Sequence, residues 1–235
     1  ARANLQSAAE SGLKHGALGY LNTDWGDNGH WQYLPFSYPG FAYGAALAWA
    51  VKANRALDIA RAVSLHAFRD PTERLGQVVF DLGQVDQELG MRLHNSTALF
   101  RILQFPLADI REKLDGLTPE ALKRAQSTTD RALLPLRQVR STRPETRLVA
   151  AEFKSAAALL GHAVQRGLLA WEDDPAQARA LKRKLKRDLP RLIQEYRRLW
   201  HARNRPGGFR ESVARLKRMR QDYATRRSGS SAPRA

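Results

Sequence analysis

Cysteine is absent from this 235-residue chain. That excludes a disulfide scaffold, a thiolate zinc site and a cysteine nucleophile. Long apolar runs are absent as well. The longest, around Phe41 to Val51, is too short and too rich in small residues to span a bilayer. No secretory leader pattern is visible, and no repeat of fixed period runs through the chain. The first residue is Ala rather than Met, so a chain processed or cut from something longer is expected. Acidic residues are scarce in one region only. Residues 176–235 hold 19 Lys/Arg and 4 Asp/Glu, against 20 and 19 in residues 1–175. Of the total net charge of +16, +15 therefore belongs to the C-terminal quarter. Such a quarter suits a polyanion, an anionic surface or an acidic face of the same protein.

What is present fits a folded globular chain of one large domain or two modest ones. Hydrophobic residues make up 43% and charged residues 26%, which excludes wholesale disorder. Two regimes follow one another. In residues 1–57, Leu5, Ala8, Ala9 and Leu13 recur at helical spacing and close near Gly16. The stretch Leu18-Gly19-Tyr20-Leu21-Asn22-Thr23 reads as a buried strand. A polar, glycine-rich loop, Asp24 to His30, comes next. From Gly40 to Asn54 the small residues Ala42, Gly44, Ala45, Ala46, Ala48 and Ala50 allow a tightly packed helix, with Trp49 expected in its core. Helix, strand, loop, helix is a fragment of an α/β fold. A single strand makes no sheet, so its partners are expected outside this chain.

Residues 58–223 read as helical throughout. Asp70-Pro71, Thr118-Pro119 and Asp174-Pro175 each pair a capping side chain with proline in the first turn. The expected helices are 58–67, 71–104, 107–115, 119–140, 145–171, 175–202 and 208–226. In the sixth, Leu181, Leu185, Leu189, Leu192, Tyr196 and Leu199 form one apolar stripe opposite a basic face. That pattern needs partner helices, so a helical bundle is the architecture expected. Residues 224–235 read as a disordered basic tail.

The loop after the strand concentrates the chemistry. Asp24-Trp25-Gly26-Asp27-Asn28-Gly29-His30 joins two carboxylates, an amide, an imidazole and an indole. An indole covers the apolar face of a pyranose, and a neighbouring carboxylate accepts hydrogen bonds from ring hydroxyls. The alternatives are a core Trp25 with Asp27 capping turn amides, a catalytic pair of Asp24 and Asp27, or a metal site of Asp24, Asp27, Asn28 and His30. Nothing fixes two opposed faces of a substrate between the two aspartates. The spacing matches neither an EF-hand loop nor a His-x-x-x-His helix, so the residues do not favour the metal site. Tyr33, Tyr38 and Tyr43 follow, as pocket-mouth residues or as packing. His66, His94, His162 and His201 are scattered over helical segments. Arg203 and Arg205 suit an anion clamp or a helix C-terminus.

The segment Gly19 to His30, with Gln32 and Ser37-Tyr38-Pro39-Gly40, resembles the last barrel strand of family 20 glycoside hydrolases. More narrowly, it resembles a divergent bacterial branch of β-N-acetylhexosaminidases. Leu199-Trp200 and Arg203-Asn204-Arg205-Pro206-Gly207-Gly208 resemble the C-terminal helical region of that branch. In the family a Trp-Gly-Glu or Trp-Gly-Asp follows the eighth strand. By that match Trp25 walls the sugar pocket and Asp27 binds sugar hydroxyls. Asp24, Asn28 and His30 are further pocket-lining candidates. Family members use the substrate's acetamido group as nucleophile, with an adjacent Asp-Glu pair after the fourth strand. No such pair stands here in that order and context. Glu172-Asp173-Asp174 is reversed and falls between helices.

The resemblance thus implies a mostly α chain: residues 1–57 as the C-terminal remnant of a (β/α)8 barrel, then an α-helical bundle. Its partners would be an N-acetylhexosaminide substrate and the upstream barrel portion of the same protein. This chain would hold part of the sugar pocket, no catalytic residue and no hydrolytic activity alone, and the parent would use no metal or organic cofactor. The rival reading is a basic helical hairpin, Lys182 to Arg187 with Arg215, Lys217, Arg218 and Arg220, binding nucleic acid or another polyanion. A solvated face is the ordinary meaning of such a run, so nucleic acid is the less favoured partner. Docking of the helices to an anionic wall polymer or another subunit is the third reading. A sugar site predicts Trp25 and Asp27 facing one pocket. A nucleic-acid site predicts a single exposed basic stripe and a buried Trp25.

Overall fold

The computed structural model describes residues 2–224 and is mostly helical. In chain order the helices are α1 (Arg2–Lys14), α2 (Tyr38–Trp49), α3 (Val51–Asn54), α4 (Ile59–Ala62), α5 (Leu75–Gln84), α6 (Ala98–Gln104), α7 (Ile110–Lys113), α8 (Pro119–Ala132), α9 (Pro144–Ala170), α10 (Pro175–Arg203) and α11 (Phe209–Asp222). Among the described residues the one β pairing is a bridge between Leu93 and Ser96.

Local chemistry sets the main boundaries. Thr118 accepts from the Ala121 amide at 3.2 Å, with Pro119 in the first turn of α8. Asp174 accepts from the Ala176 amide at 2.8 Å, with Pro175 doing the same for α10. Each such cap satisfies an amide that has no partner within the helix, worth about 1 kcal/mol. The expected spans 145–171 and 175–202 correspond to α9 and α10.

α9 joins two apolar cores. Val149, Phe153 and Ala157 pack with Tyr43, Leu47, Val63, Phe68, Leu75 and Val78. One to three turns on, Leu159, Ala163 and Val164 pack with Ile102, Leu122, Leu189, Leu199 and Leu216. Each large apolar side chain so buried contributes about 1.5–3 kcal/mol before entropy is charged. The apolar stripe of α10 lies inward as its periodicity requires: Leu185, Leu189, Tyr196 and Leu199 are buried. α2 shares a core with α4, α5 and α9, so packing is continuous from residues 1–57 into those that follow.

Several expectations are corrected. Residues 18–23 form no strand. Among the described residues, no backbone group of residues 18–26 bonds to another backbone group. A strand exists only as a ladder, and nothing lies alongside to supply one. The segment instead runs antiparallel to α2 and is held by side chains. The Tyr20 hydroxyl donates to the Gly44 carbonyl at 2.7 Å, Asn22 Nδ2 to the Gly40 carbonyl at 3.0 Å, and Ser37 Oγ to Asp24 Oδ2 at 2.5 Å. Every second residue thus meets a successive turn of the helix. The match is geometric: two extended residues advance about 6.6 Å and four helical residues about 6 Å. Gly44 permits the approach, since a Cβ there would stand 2.6 Å from Asn22 Nδ2.

The expected helix 71–104 is broken twice. Asp70 does cap, accepting from the Arg74 and Leu75 amides at 2.8 and 2.9 Å, but the helix opens at Leu75 because Glu73 is left-handed at φ 59. Gly90, at φ 67, ends the next turns, and Asn95 closes a tight reversal at φ 50 before Thr97 caps α6. The expected span 119–140 stops at Ala132 and continues as the 3-10 turn Leu134–Arg137. The helix expected over 40–54 is interrupted at Ala50, which is extended at φ −157. Of the expected tail, all but Ala224 lies outside the described residues.

Trp49 is not a core residue: it is 90% exposed. α2 is apolar on nearly every side, and only the face of Tyr43 and Leu47 is covered. Phe41, Ala45, Ala48 and Trp49 look outward. Trp49→Ser is therefore expected to change unfolding free energy by no more than about 0.5 kcal/mol, as for other exposed positions. Denaturant titration checks this; a loss of several kcal/mol would put Trp49 back in a core.

Candidate functional site

The loop from Asp24 to His30 is fastened at both ends and bare in the middle. At its start, Asp24 accepts from Ser37 Oγ, which in turn accepts from Gln32 Nε2 at 2.7 Å. At its end, Trp31 and Tyr33 are buried in the bundle. Trp31 Nε1 donates to the Ser212 carbonyl at 3.1 Å, and the Tyr33 hydroxyl bonds to Ser155 Oγ at 2.8 Å. Burial pushes the Tyr33 hydroxyl far above its ordinary pKa, outweighing its bond to Ser155, so it stays a neutral anchor.

Between the anchors the backbone is left-handed at three successive residues, Asn28 (φ 54), Gly29 (φ 102) and His30 (φ 48). Asn tolerates this conformation better than most residues. The hairpin-like bend is closed by the His30 amide donating to the Asp27 carbonyl at 3.1 Å. The His30 ring folds over Gly26: a Cβ at residue 26 would stand 1.8 Å from His30 Nδ1. Gly26 is thus required by close approach, and His30 is spent on the loop's own packing.

Asn28 is pinned from outside. Its Oδ1 accepts from Arg215 Nη1 at 3.5 Å and its carbonyl from Gln104 Nε2 at 3.2 Å. The His30 carbonyl accepts from the Tyr196 hydroxyl at 3.4 Å. Trp25 is 79% exposed, and Asp27 beside it is exposed. Of the five sequence candidates, then, Asp24, Asn28 and His30 support the loop, while Trp25 and Asp27 stand clear at its tip. Chain alternation places Leu21, Thr23 and Trp25 on the side facing away from α2. Leu21 is 86% exposed.

Among the described residues, no group of three or more His, Asp and Glu side chains is assembled as a metal ligand set. The tyrosines after the loop serve packing. Tyr43 is buried with its hydroxyl donating to the Arg55 carbonyl at 3.1 Å, and Tyr38 stacks on Phe68. The run Glu172-Asp173-Asp174 is fully used at the α9–α10 turn. Glu172 Oε1 accepts from the Asp174 amide at 3.0 Å, Asp173 pairs with Arg111 at 2.8 Å, and Asp174 caps α10. Arg203 is no anion clamp: its guanidinium is held by Glu145 and Glu152. Two open surface depressions, one along α10 and one between α8, α9 and α10, include no residue of the loop.

Gln104 and Arg215 were not legible as loop supports. They lie 76 and 187 residues from Asn28, and no local pattern marks such a contact. Ser37 and Gln32 carried a signal, being part of the same motif as the loop. No protein-family model matches this chain, and the comparisons with curated proteins and with solved structures found no match.

Proposed function

We propose that this chain is the C-terminal portion of a glycoside hydrolase that releases terminal β-linked N-acetylhexosamine by substrate-assisted, retaining hydrolysis. Trp25 lies against the sugar face and Asp27 accepts from its hydroxyls. The catalytic Asp-Glu pair and the rest of the barrel lie upstream, and this chain alone hydrolyses nothing.

One observation carries the reading: residues 18–26 have the makings of a strand that lacks its neighbours. The backbone groups are open, the side chains alternate, and the alternation is inverted. Polar Tyr20, Asn22 and Asp24 face the covering helix, while Leu21 and Trp25 face outward. A chain folding for itself alone hides leucine and exposes asparagine. The opposite choice suits a strand with further strands beside it and an outer face that looks into the barrel. Trp49 and the bare side of α2 suit the same missing neighbour. Trp25 and Asp27, two apart, then fall on one side at the strand's carboxyl end, where barrel enzymes bind ligands.

The test uses the protein with its upstream sequence and an aryl N-acetylglucosaminide. Trp25→Ala and Asp27→Ala are each expected to lower kcat/KM about 10- to 100-fold, the worth of a charged hydrogen bond or a well-placed aromatic contact. Unfolding curves should stay unchanged, because both side chains are exposed. Full activity in both variants would refute the assigned roles. Upstream coding sequence without seven further β/α units and an Asp-Glu pair would refute the reading itself.

A further inference from the structure

We propose that the exposed face of α10 is a docking surface for double-stranded nucleic acid, held through its phosphates without base contacts. The proposal goes beyond the glycosidase reading and stands independently of it. With Leu185, Leu189, Tyr196 and Leu199 turned inward, the opposite side of this 29-residue helix carries Arg179, Arg183, Arg187 and Arg191, all exposed. They recur every four residues, so successive arginines advance about 6 Å along the axis in one oblique row. Lys184, Lys186, Arg197 and Arg198 widen the row into a ridge.

Little within the protein neutralises it. Arg198 is paired with Glu195 at 2.6 Å, and Asp188 approaches Arg187 at 3.5 Å. Among the described residues, Arg179, Arg183 and Arg191 form no ion pair. Like charges four residues apart destabilise a helix by a few tenths of a kcal/mol per pair. An external polyanion relieves that repulsion.

The ridge also narrows the choice of polyanion. None of the exposed large apolar side chains lies on α10 or α11, so there is neither a wedge for a bilayer nor a platform for unpaired bases or sugar rings. Charge is all the ridge offers. Its affinity must come from counterion release, which is greatest on the polymer of highest charge density, duplex nucleic acid. Arginine dominates the row, and its planar fork matches phosphate oxygens two at a time. The helix, about 43 Å long, spans roughly one turn of a duplex.

The test measures binding of the full chain to a labelled duplex of about twenty base pairs across a salt series. One variant replaces the row (Arg179→Gln, Arg183→Gln, Arg187→Gln, Arg191→Gln). A second, of equal net charge, replaces four exposed lysines elsewhere (Lys14→Gln, Lys52→Gln, Lys123→Gln, Lys154→Gln). The row variant is expected to lose at least about tenfold in affinity near 0.1 M salt and to flatten the salt slope by about three; the lysine variant should stay within about threefold. Helix content and melting temperature should hold in both. A smaller loss in the row variant, or equal losses in the two, would overturn the proposal, leaving net charge as the cause. So would tighter binding, at the same salt, of a uronate polysaccharide or of phosphatidylserine-containing vesicles.

Discussion

Arg203→Met is expected to destabilise the protein by about 3–5 kcal/mol, the usual penalty for stripping one partner from a buried ion pair. Arg203 leaves the last turn of α10 and reaches the first turns of α9. Its Nε donates to Glu152 Oε1 at 2.5 Å, and its Nη2 to Glu152 Oε2 at 2.9 Å and Glu145 Oε1 at 2.8 Å. The Arg203 side chain is 13% exposed and that of Glu152 only 1%. Burial alone works against both charges. For Glu152 it outweighs the arginine and raises the carboxyl above its ordinary range. For Arg203 the two carboxylates prevail and hold the guanidinium protonated. Without Arg203, Glu152 must ionise in an apolar site or take up a proton, and either costs free energy.

Urea unfolding at neutral pH measures the effect. The double variant Arg203→Met, Glu152→Gln should recover part of the loss, because it removes the stranded charge. Arg203→Lys should fall between, since an ammonium cannot match the forked geometry. A loss below about 1 kcal/mol in Arg203→Met would show that the pair is dispensable.

The second large effect concerns pH. His162, in the middle of α9, is buried beside Arg166 and Tyr223. Arg166 is itself buried; it donates to the carbonyls of Ile102 and Phe105, to the Tyr223 hydroxyl and to Asp222. The Tyr223 hydroxyl accepts from Arg166 at 3.2 Å and is also hydrogen-bonded to His162 Nε2, 3.0 Å away. Burial first, and then the Arg166 charge, lower the His162 pKa from 6.5 to about 4, against a weaker opposing pull from Asp188.

The sign follows. The unfolded chain takes up the proton near pH 6.5, whereas the folded chain resists until about pH 4. Stability from this group is therefore complete above pH 6.5 and is lost as the pH falls towards 4. Converted at 1.36 kcal/mol per unit, the full loss is about 3 kcal/mol. Unfolding curves at pH 7 and pH 4.5 should show it. His162→Gln keeps a hydrogen-bonding side chain without the titration, so its stability should fall less over the same interval. Parallel pH profiles for the two proteins would exclude His162 as the source.

How much of this was legible beforehand varies by residue. The Thr118-Pro119 and Asp174-Pro175 starts were readable because a cap is a contact between neighbours in sequence. So was the inward stripe of α10, because its period and its amphipathic contrast are both local. The break of the span 71–104 was only half readable. Gly90 and the Asn95-Ser96 pair are turn residues, yet the apolar residues around them keep a helical count.

The candidate loop divides in the same way. Trp25 and Asp27 could be picked out by residue type and motif. Which of their neighbours would be spent on support could not. Asn28 is fixed by Arg215 and Gln104, and His30 by its fit over Gly26.

By itself the amino-acid sequence determined the helical character of the chain, most helix starts, the inward face of α10 and the concentration of charge at the C-terminal end. All of these rest on interactions between residues a few positions apart. The tertiary structure decided the rest. It put Trp49 in the open, denied residues 18–23 a ladder, and took Arg203 and His162 into buried polar networks. Those outcomes depend on which distant surface happens to lie opposite, and no local pattern records that.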